Sequence, residues 1–343
     1  MQDKRKDIAI DFKHYQSAHC ENGVTSNLLK HHNINLSEPM VFGIGSGLFF
    51  SYMPFIKLNG IPVTSFRPWP GMIFNRITRR LGIKIARAKF SDPQKSMESL
   101  DRNLDDGIPT GCLVGVYHLT YFPAPYRFHF NAHNLIVYGR ENGSYLISDP
   151  VMETPVTLSR EDLLKVRFAK GTYPPKGRLY YIESLSESYD LKSAIVKGIH
   201  HTCKDMLEIP IPLFGVKGIR YLAGRMKNWP KKLGPKKASL YLGQVVRMLE
   251  EIGTGGAGFR FIYAAFLQES AKVLNQDWLN EVSKDMTLAG DKWREFATIS
   301  GRIIKDRAGK EESYEAAANL LLQVADMEEK IYRRLRKISL TNE

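Results

Sequence analysis

Residues 132–150 place the tightest constraint on this chain. Ala132-His133-Asn134-Leu135-Ile136-Val137-Tyr138-Gly139-Arg140 is followed by Glu141-Asn142-Gly143, then by Ser144 to Ser148 and Asp149-Pro150. Apolar, β-branched runs on either side of Asn-Gly predict a β-hairpin, because those two residues accept the positive φ angles of a tight turn. If Arg140 faces Ser144, then Leu135 faces Asp149 and His133 faces Val151. His133 and Asp149 become diagonal neighbours on one face, within side-chain reach. Local folding alone thus joins an imidazole to a carboxylate. A carboxylate in that position fixes the histidine tautomer and stabilises the protonated ring.

Such a pair needs a nucleophile. Ala18-His19-Cys20-Glu21-Asn22-Gly23 leads into an apolar-spaced run that predicts a helix over 20–32, stopping at Asn33. A thiol at a helix start feels unpaired N–H groups and the positive end of the dipole, which favour the reactive thiolate. Taken alone, a cysteine reads as core, and Cys112, inside the strand-like run Gly111 to Tyr117, is read that way. The downstream His and Asp are what make Cys20 a candidate. His118 and His129 lie near His133 in sequence, but they lack the three or four spaced ligands of a zinc site. No metal is expected.

At 343 residues the chain exceeds the usual single domain. Strands and short helices predict an α+β domain over 1–184 with an antiparallel sheet, and Ser184 to Tyr189 reads as a polar linker. A mostly α-helical domain is expected over 190–343, with helices near 190–207, 238–252, 257–274, 277–299 and 311–337. Pro210, Pro212, Pro230 and Pro235 punctuate what reads as an irregular connection between the first two. The charged start Met1 to Asp7 leads into no long apolar core, so no signal peptide is expected. Met40 to Ile56 is interrupted by glycines and Pro54 and falls short of a membrane span. A cytoplasmic protein is expected. Gly43-Ile44-Gly45-Ser46-Gly47 lacks the full dinucleotide fingerprint and reads as close packing.

The net charge of +13 is partly local, since Lys217 to Lys237 contains no Asp or Glu. Such a stretch is a solvated face or a docking surface for an acidic partner. No nucleic-acid-binding pattern accompanies it, so nucleic acid is not expected.

His19-Cys20-Glu21, Ser37-Glu38-Pro39-Met40 with Phe42 to Gly45, Ala132-His133-Asn134 and Asp149-Pro150 resemble the N-terminal domain of the butirosin biosynthesis protein H family. Gly255-Gly256 through Phe259-Arg260, Tyr263, Phe266-Leu267 and Trp293 resemble the helical C-terminal domain that accompanies it. The resemblance implies a papain-like first domain with Cys20, His133 and Asp149 as a catalytic triad. It implies an acyltransferase of specialised metabolism that moves an acyl group from an acyl carrier protein thioester to a small-molecule amine, an aminoglycoside in the family's characterised example. No cofactor is implied beyond the carrier's own phosphopantetheine. Carrier proteins are typically acidic, which gives Lys231, Lys232, Lys236 and Lys237 a docking role. Papain-like enzymes usually carry an oxyanion-hole glutamine about six residues before the cysteine. Here Gln16 stands four before Cys20, so either Gln16 serves with altered geometry or the Cys20 N–H works with another donor. The same triad would also suit a cysteine peptidase or amidase, and a papain-like module without catalysis would be a binding protein.

Overall fold

A computed structural model describes residues 6–340, and the charged residues 1–5 of the leader lie outside them. The chain opens with β1 (Ile8–Ala9), α1 (Cys20–His31), α2 (Glu38–Ile44), β2 (Ser51–Leu58), β3 (Ile61–Ser65) and α3 (Met72–Arg80). It continues with β4 (Lys84–Ala88), α4 (Pro93–Asp105), β5 (Thr110–Val114), β6 (His133–Glu141), β7 (Ser144–Ser148), β8 (Val156–Ser159), α5 (Arg160–Arg167) and β9 (Leu179–Ser184). Seven helices follow: α6 (Leu191–Leu207), α7 (Gly215–Met226), α8 (Trp229–Leu233), α9 (Pro235–Glu250), α10 (Arg260–Leu274), α11 (Trp278–Ile304) and α12 (Tyr314–Leu335). This is the expected α+β architecture with a helical C-terminal part.

The chain divides into two compact units, Met1–Glu38 with Leu81–Tyr189, and Pro39–Arg80 with Asp190–Glu343. The expected limits of 1–184 and 190–343 therefore need correction for one stretch: residues 39–80 pack with the helices. Their aromatic side chains say why. Phe42 stacks on Phe259 at 5.0 Å between ring centroids, and Phe50 and Phe66 lie 5.9 and 5.3 Å from Trp293. A Cβ on Gly43 would fall 2.1 Å from the Phe266 ring, so the glycine run is close packing, as expected. At the centre of this unit Arg260 and Glu328, both fully buried, form a two-pronged ion pair at 2.8 and 2.9 Å. Trp293 Nε1 donates to the same carboxylate at 2.7 Å, and Arg260 also donates to the Gly258 carbonyl.

The proline-punctuated connection is helical, which is a second correction. Pro230 and Pro235 sit in the first turns of α8 and α9. A missing N–H costs nothing there, and the fixed φ suits the helix. These two prolines mark helix starts, while Pro210 and Pro212 lie in the short irregular stretch between α6 and α7.

The first unit is organised by one antiparallel sheet in the order β4-β9-β5-β6-β7-β8, with β1 pairing beside the far end of β6. One sheet face packs Leu135, Val137, Cys112, Val114 and Ile147 against Leu100 and Leu104 of α4 and Leu163 of α5. The β6–β7 hairpin closes through a two-residue turn, Asn142 and Gly143, both with positive φ. Glu141 faces Ser144 and Arg140 faces Tyr145, one residue off the expected pairing. A bulge at Tyr138 then shifts the register, so Val137 faces Ile147 and Ile136 faces Ser148. The expected pairing is restored in the half of the hairpin that carries His133 and Asp149.

Cutting the chain between residues 184 and 190 separates Phe42, Phe50 and Phe66 from Trp293 and Phe259. Neither 1–184 nor 190–343 is expected to unfold cooperatively alone in thermal circular dichroism. A sharp transition from 190–343 by itself would show that 39–80 is dispensable to that unit.

Candidate active site

Cys20 is the first residue of α1, and His19 caps that helix by accepting the Asn22 N–H on its ring at 3.4 Å. Close approach of α1 to the end of β7 requires a glycine. A Cβ at Gly23 would sit 2.4 Å from the Pro150 Cβ. The incoming segment is tied to the same place: Ser17 N–H donates to the Pro150 carbonyl at 2.7 Å, and His14 bonds Ser148 Oγ and the Met152 carbonyl. Glu38, the first residue of α2, does more than begin that helix. Its carboxylate accepts the Ala18 and His19 N–H groups at 2.9 and 2.8 Å, which sets the backbone just ahead of Cys20. Burial pushes the Glu38 carboxyl above the usual carboxylate range despite those donors.

His133 opens β6 and Asp149 follows β7. Their side chains meet at 2.6 Å between Nε2 and Oδ2, with Asp149 fully buried and His133 nearly so. The rest of the histidine's polar reach goes to Cys20, with which it is hydrogen-bonded. With Nε2 held by Asp149, Nδ1 is the nitrogen left for the sulfur. Burial lowers the His133 pKa, but the charges of Asp149 and Cys20 and the hydrogen bonds to both outweigh it and carry the ring up to about 10. The surroundings thus favour a protonated imidazole between a carboxylate and a sulfur. That is the charge distribution of a thiolate–imidazolium pair.

Asp149 has two further donors. Tyr121 Oη–H donates to Oδ2 at 2.7 Å, and the Val151 N–H reaches Oδ1 at 3.2 Å. Burial and then the Asp149 charge push the Tyr121 phenol well above its usual pKa, so it stays a donor. Tyr121 directly precedes the aromatic, proline-containing loop Phe122 to Phe128. Phe122 beside it packs edge-on against the His133 ring at 5.5 Å, and Arg127 clasps the loop by donating to the Thr120 and Phe122 carbonyls, both at 2.6 Å. Aromatic content alone could mark this loop as a wall, but not which phenol would reach the carboxylate.

Cys20, His133 and Asp149 thus come together as the sequence predicts. Gln16 does not join them. It is exposed on the irregular segment before α1, and its side chain makes no hydrogen bond among the described residues. An exposed amide is not a preorganised oxyanion donor. Lys231, Lys232, Lys236 and Lys237 are all exposed, on α8 and the first turn of α9, and none forms an ion pair among the described residues. Arg220, in the same basic stretch, is committed to Asp326 and Glu329. His129 stacks on Tyr117 at 4.2 Å. No group of three or more His, Cys, Asp or Glu among the described residues could hold a metal, and no helix there is long and apolar enough to cross a membrane.

A helix-borne cysteine facing an antiparallel sheet that supplies a histidine and its buried aspartate is the papain-like arrangement. Residues 19–150 match the family described as butirosin biosynthesis protein H, N-terminal, and residues 161–335 match the domain of unknown function DUF4872. The second match spans half of the chain, and the chain belongs to that family, with a butirosin biosynthesis protein H-like N-terminal domain. No curated protein gives a significant match. A solved chain from Bacillus anthracis described as a C39-like peptidase aligns over 53% of this chain and 100% of its own, with 13% identity and a TM-score of 0.37. That likeness is too distant to bear on activity.

The raised His133 pKa sets a pH window. A group held above its unfolded value of 6.5 stabilises the fold fully below about 6.5, and that contribution is lost as pH rises towards about 10. The gap in urea midpoint between the wild type and Asp149→Asn should be widest near pH 6 and shrink across this window. A gap that does not change with pH would mean that His133 is neutral.

Proposed function

We propose that the protein is an acyltransferase that moves an acyl group from a carrier-bound phosphopantetheine thioester to an amine through Cys20, His133 and Asp149, in the assembly of a specialised metabolite. The observation that carries this reading is the buried His133, bonded on one side to Asp149 and on the other to the cysteine at the start of α1. The match of residues 19–150 to the butirosin biosynthesis protein H N-terminal domain supports the setting.

In the proposed cycle the Cys20 thiolate attacks the thioester carbonyl. The oxyanion is held at the N–H groups that begin α1, the positive end of that helix. Collapse breaks the carbon–sulfur bond to phosphopantetheine, and His133 gives its proton to the departing thiolate. The amine then attacks the acyl-Cys20 thioester while His133 accepts a proton from nitrogen. Collapse forms the amide and returns Cys20 as thiolate. Asp149 keeps the ring oriented and stabilises its charge throughout. One thioester exchanges for another in the first half, so the protein's work there is positioning and the exclusion of water. The protein needs no cofactor of its own for these steps.

The carrier is expected to dock on Lys231, Lys232, Lys236 and Lys237. Two of these occupy the first turn of α9, where no acidic residue offsets them. Cations at the positive end of a helix dipole cost a few tenths of a kcal/mol or more. An arrangement that works against local stability in this way fits a surface kept for an anionic partner.

Mixing the protein with acyl-phosphopantetheine thioesters should give an intact-mass gain equal to the acyl group, absent in Cys20→Ala and slowed on the order of 10²–10⁴-fold in His133→Ala. No adduct with any thioester, together with cleavage of peptide or amide substrates, would move the assignment to a cysteine peptidase or amidase. Reversing the four lysines to Glu should weaken turnover with carrier-bound donor and flatten its salt dependence, while turnover with free acyl-phosphopantetheine is retained. Equal rates with carrier-bound donor would remove the docking role.

A further inference from the structure

Asn134 follows His133 on β6, and its side-chain nitrogen also reaches the Cys20 sulfur. The residue is only 4% exposed. A buried amide in a strand is costly unless its oxygen and both N–H groups are used. The oxygen is used well: Tyr180 Oη–H, reaching across from β9, donates to Oδ1 at 2.8 Å. The nitrogen is not used well by any neutral group. Nδ2 lies 3.4 Å from the Ala132 carbonyl, a long contact, and 4.0 Å from Cys20 Sγ. Both of these neighbours are acceptors, which fixes the amide with its nitrogen towards the sulfur and its oxygen towards the tyrosine. The weakly used donor therefore faces the Cys20 sulfur, which can become an anion.

We propose that Asn134 is a further catalytic residue, whose amide N–H donates to the Cys20 sulfur and holds it as the thiolate, and that Tyr180 is the positioning residue that fixes this amide. The nucleophile then has His133 on one side and Asn134 on the other, at the N-terminus of α1. The same strand supplies both through consecutive residues, because successive side chains of a strand point to opposite faces. Other titratable groups bear on this pocket from each neighbouring element. They are Glu21 beside Cys20 on α1, Arg87 on β4, Cys112 on β5, and Asp149 with Tyr121 behind His133. Glu21, Cys20 and Arg87 all act on Tyr180, so the tyrosine hydroxyl lies in the electrostatic field of the site as well as against the amide.

This inference rests on Cys20 being the nucleophile, and its test needs neither carrier nor acceptor. The rate of Cys20 alkylation by iodoacetamide, followed by intact mass from pH 4 to 10, reports the thiolate fraction. Cys112 and Cys203 are replaced by Ala to leave one thiol. In Asn134→Leu the pH midpoint should rise by about one unit, as expected for the loss of one hydrogen bond to a charged group. Tyr180→Phe, which removes a single oxygen, should move it the same way by less, and Asn134→Asp, which sets a carboxylate against the sulfur, should move it further. A lower thermal midpoint with an unmoved alkylation midpoint in Asn134→Leu would assign Asn134 to packing and overturn the proposal. If Asn134→Leu does not fold, unmoved midpoints in Tyr180→Phe and Asn134→Asp overturn it equally. A parent thiol that reacts only near the free-cysteine midpoint of about 8.5 would instead sink the nucleophile reading itself, a separate outcome.

Discussion

Asp149 has no exposed surface, and a carboxylate out of water is tolerated only where donors replace the water. Three do so here: the Tyr121 hydroxyl, the Val151 N–H and the His133 ring. Each arrives from a different part of the chain: a clasped loop, the end of a hairpin and the start of a central strand. Pro150, next to the carboxylate, then becomes the surface on which α1 is seated through Gly23 and to which the leader is tied through Ser17. The solvation of one buried charge thus determines where α1 begins, and with it where the sulfur sits. Removing the charge would relax the reason for several of these contacts together.

How far the sequence could be read depends on how local each decision is. The meeting of His133 and Asp149 was legible because sixteen residues and one Asn-Gly turn decide it. Even there the pairing at the turn differs by one residue, and the bulge at Tyr138, which no residue type announces, brings the register back. The start of α1 at Cys20 and the left-handed stop at Asn33 were legible for the same reason. Contacts between distant segments were not. Glu38 has the sequence signature of a helix start, and it is one, yet its carboxylate also holds Ala18 and His19. Asn134 stood within a stretch already singled out and Tyr121 outside any, and which aromatic or amide would face the site follows from tertiary packing. The identity of α8 and the true start of α9 were obscured because proline signals a helix start and a helix break with the same letter.

Two buried ion pairs follow different logic. Arg260 and Glu328 are closed on themselves: the carboxylate also takes the Trp293 N–H, and the guanidinium also meets the Gly258 carbonyl. Each member is saturated by protein groups, and the pair specifies a packing. Desolvation costs of that size are recovered only with such complete bonding. His133 and Asp149 are saturated on the carboxylate side alone, and the remaining ring nitrogen is committed to a thiol that can ionise. Asn134 repeats the pattern, with its oxygen satisfied and its nitrogen facing sulfur. In both cases polar capacity left over from the fold is directed at one atom.

Residues 39–80 interrupt the first unit and belong to the second. During synthesis this stretch leaves the ribosome long before its partners exist. Phe66 must wait for Trp293 to be made, on the order of 10–40 s at ordinary elongation rates. Through that interval Phe42 lacks Phe259, and Phe50 and Phe66, which meet each other, lack Trp293. Meanwhile the strands of the first unit emerge behind them and can pair. The second unit begins before the first is complete and finishes last, so the first must close with 39–80 held out of it.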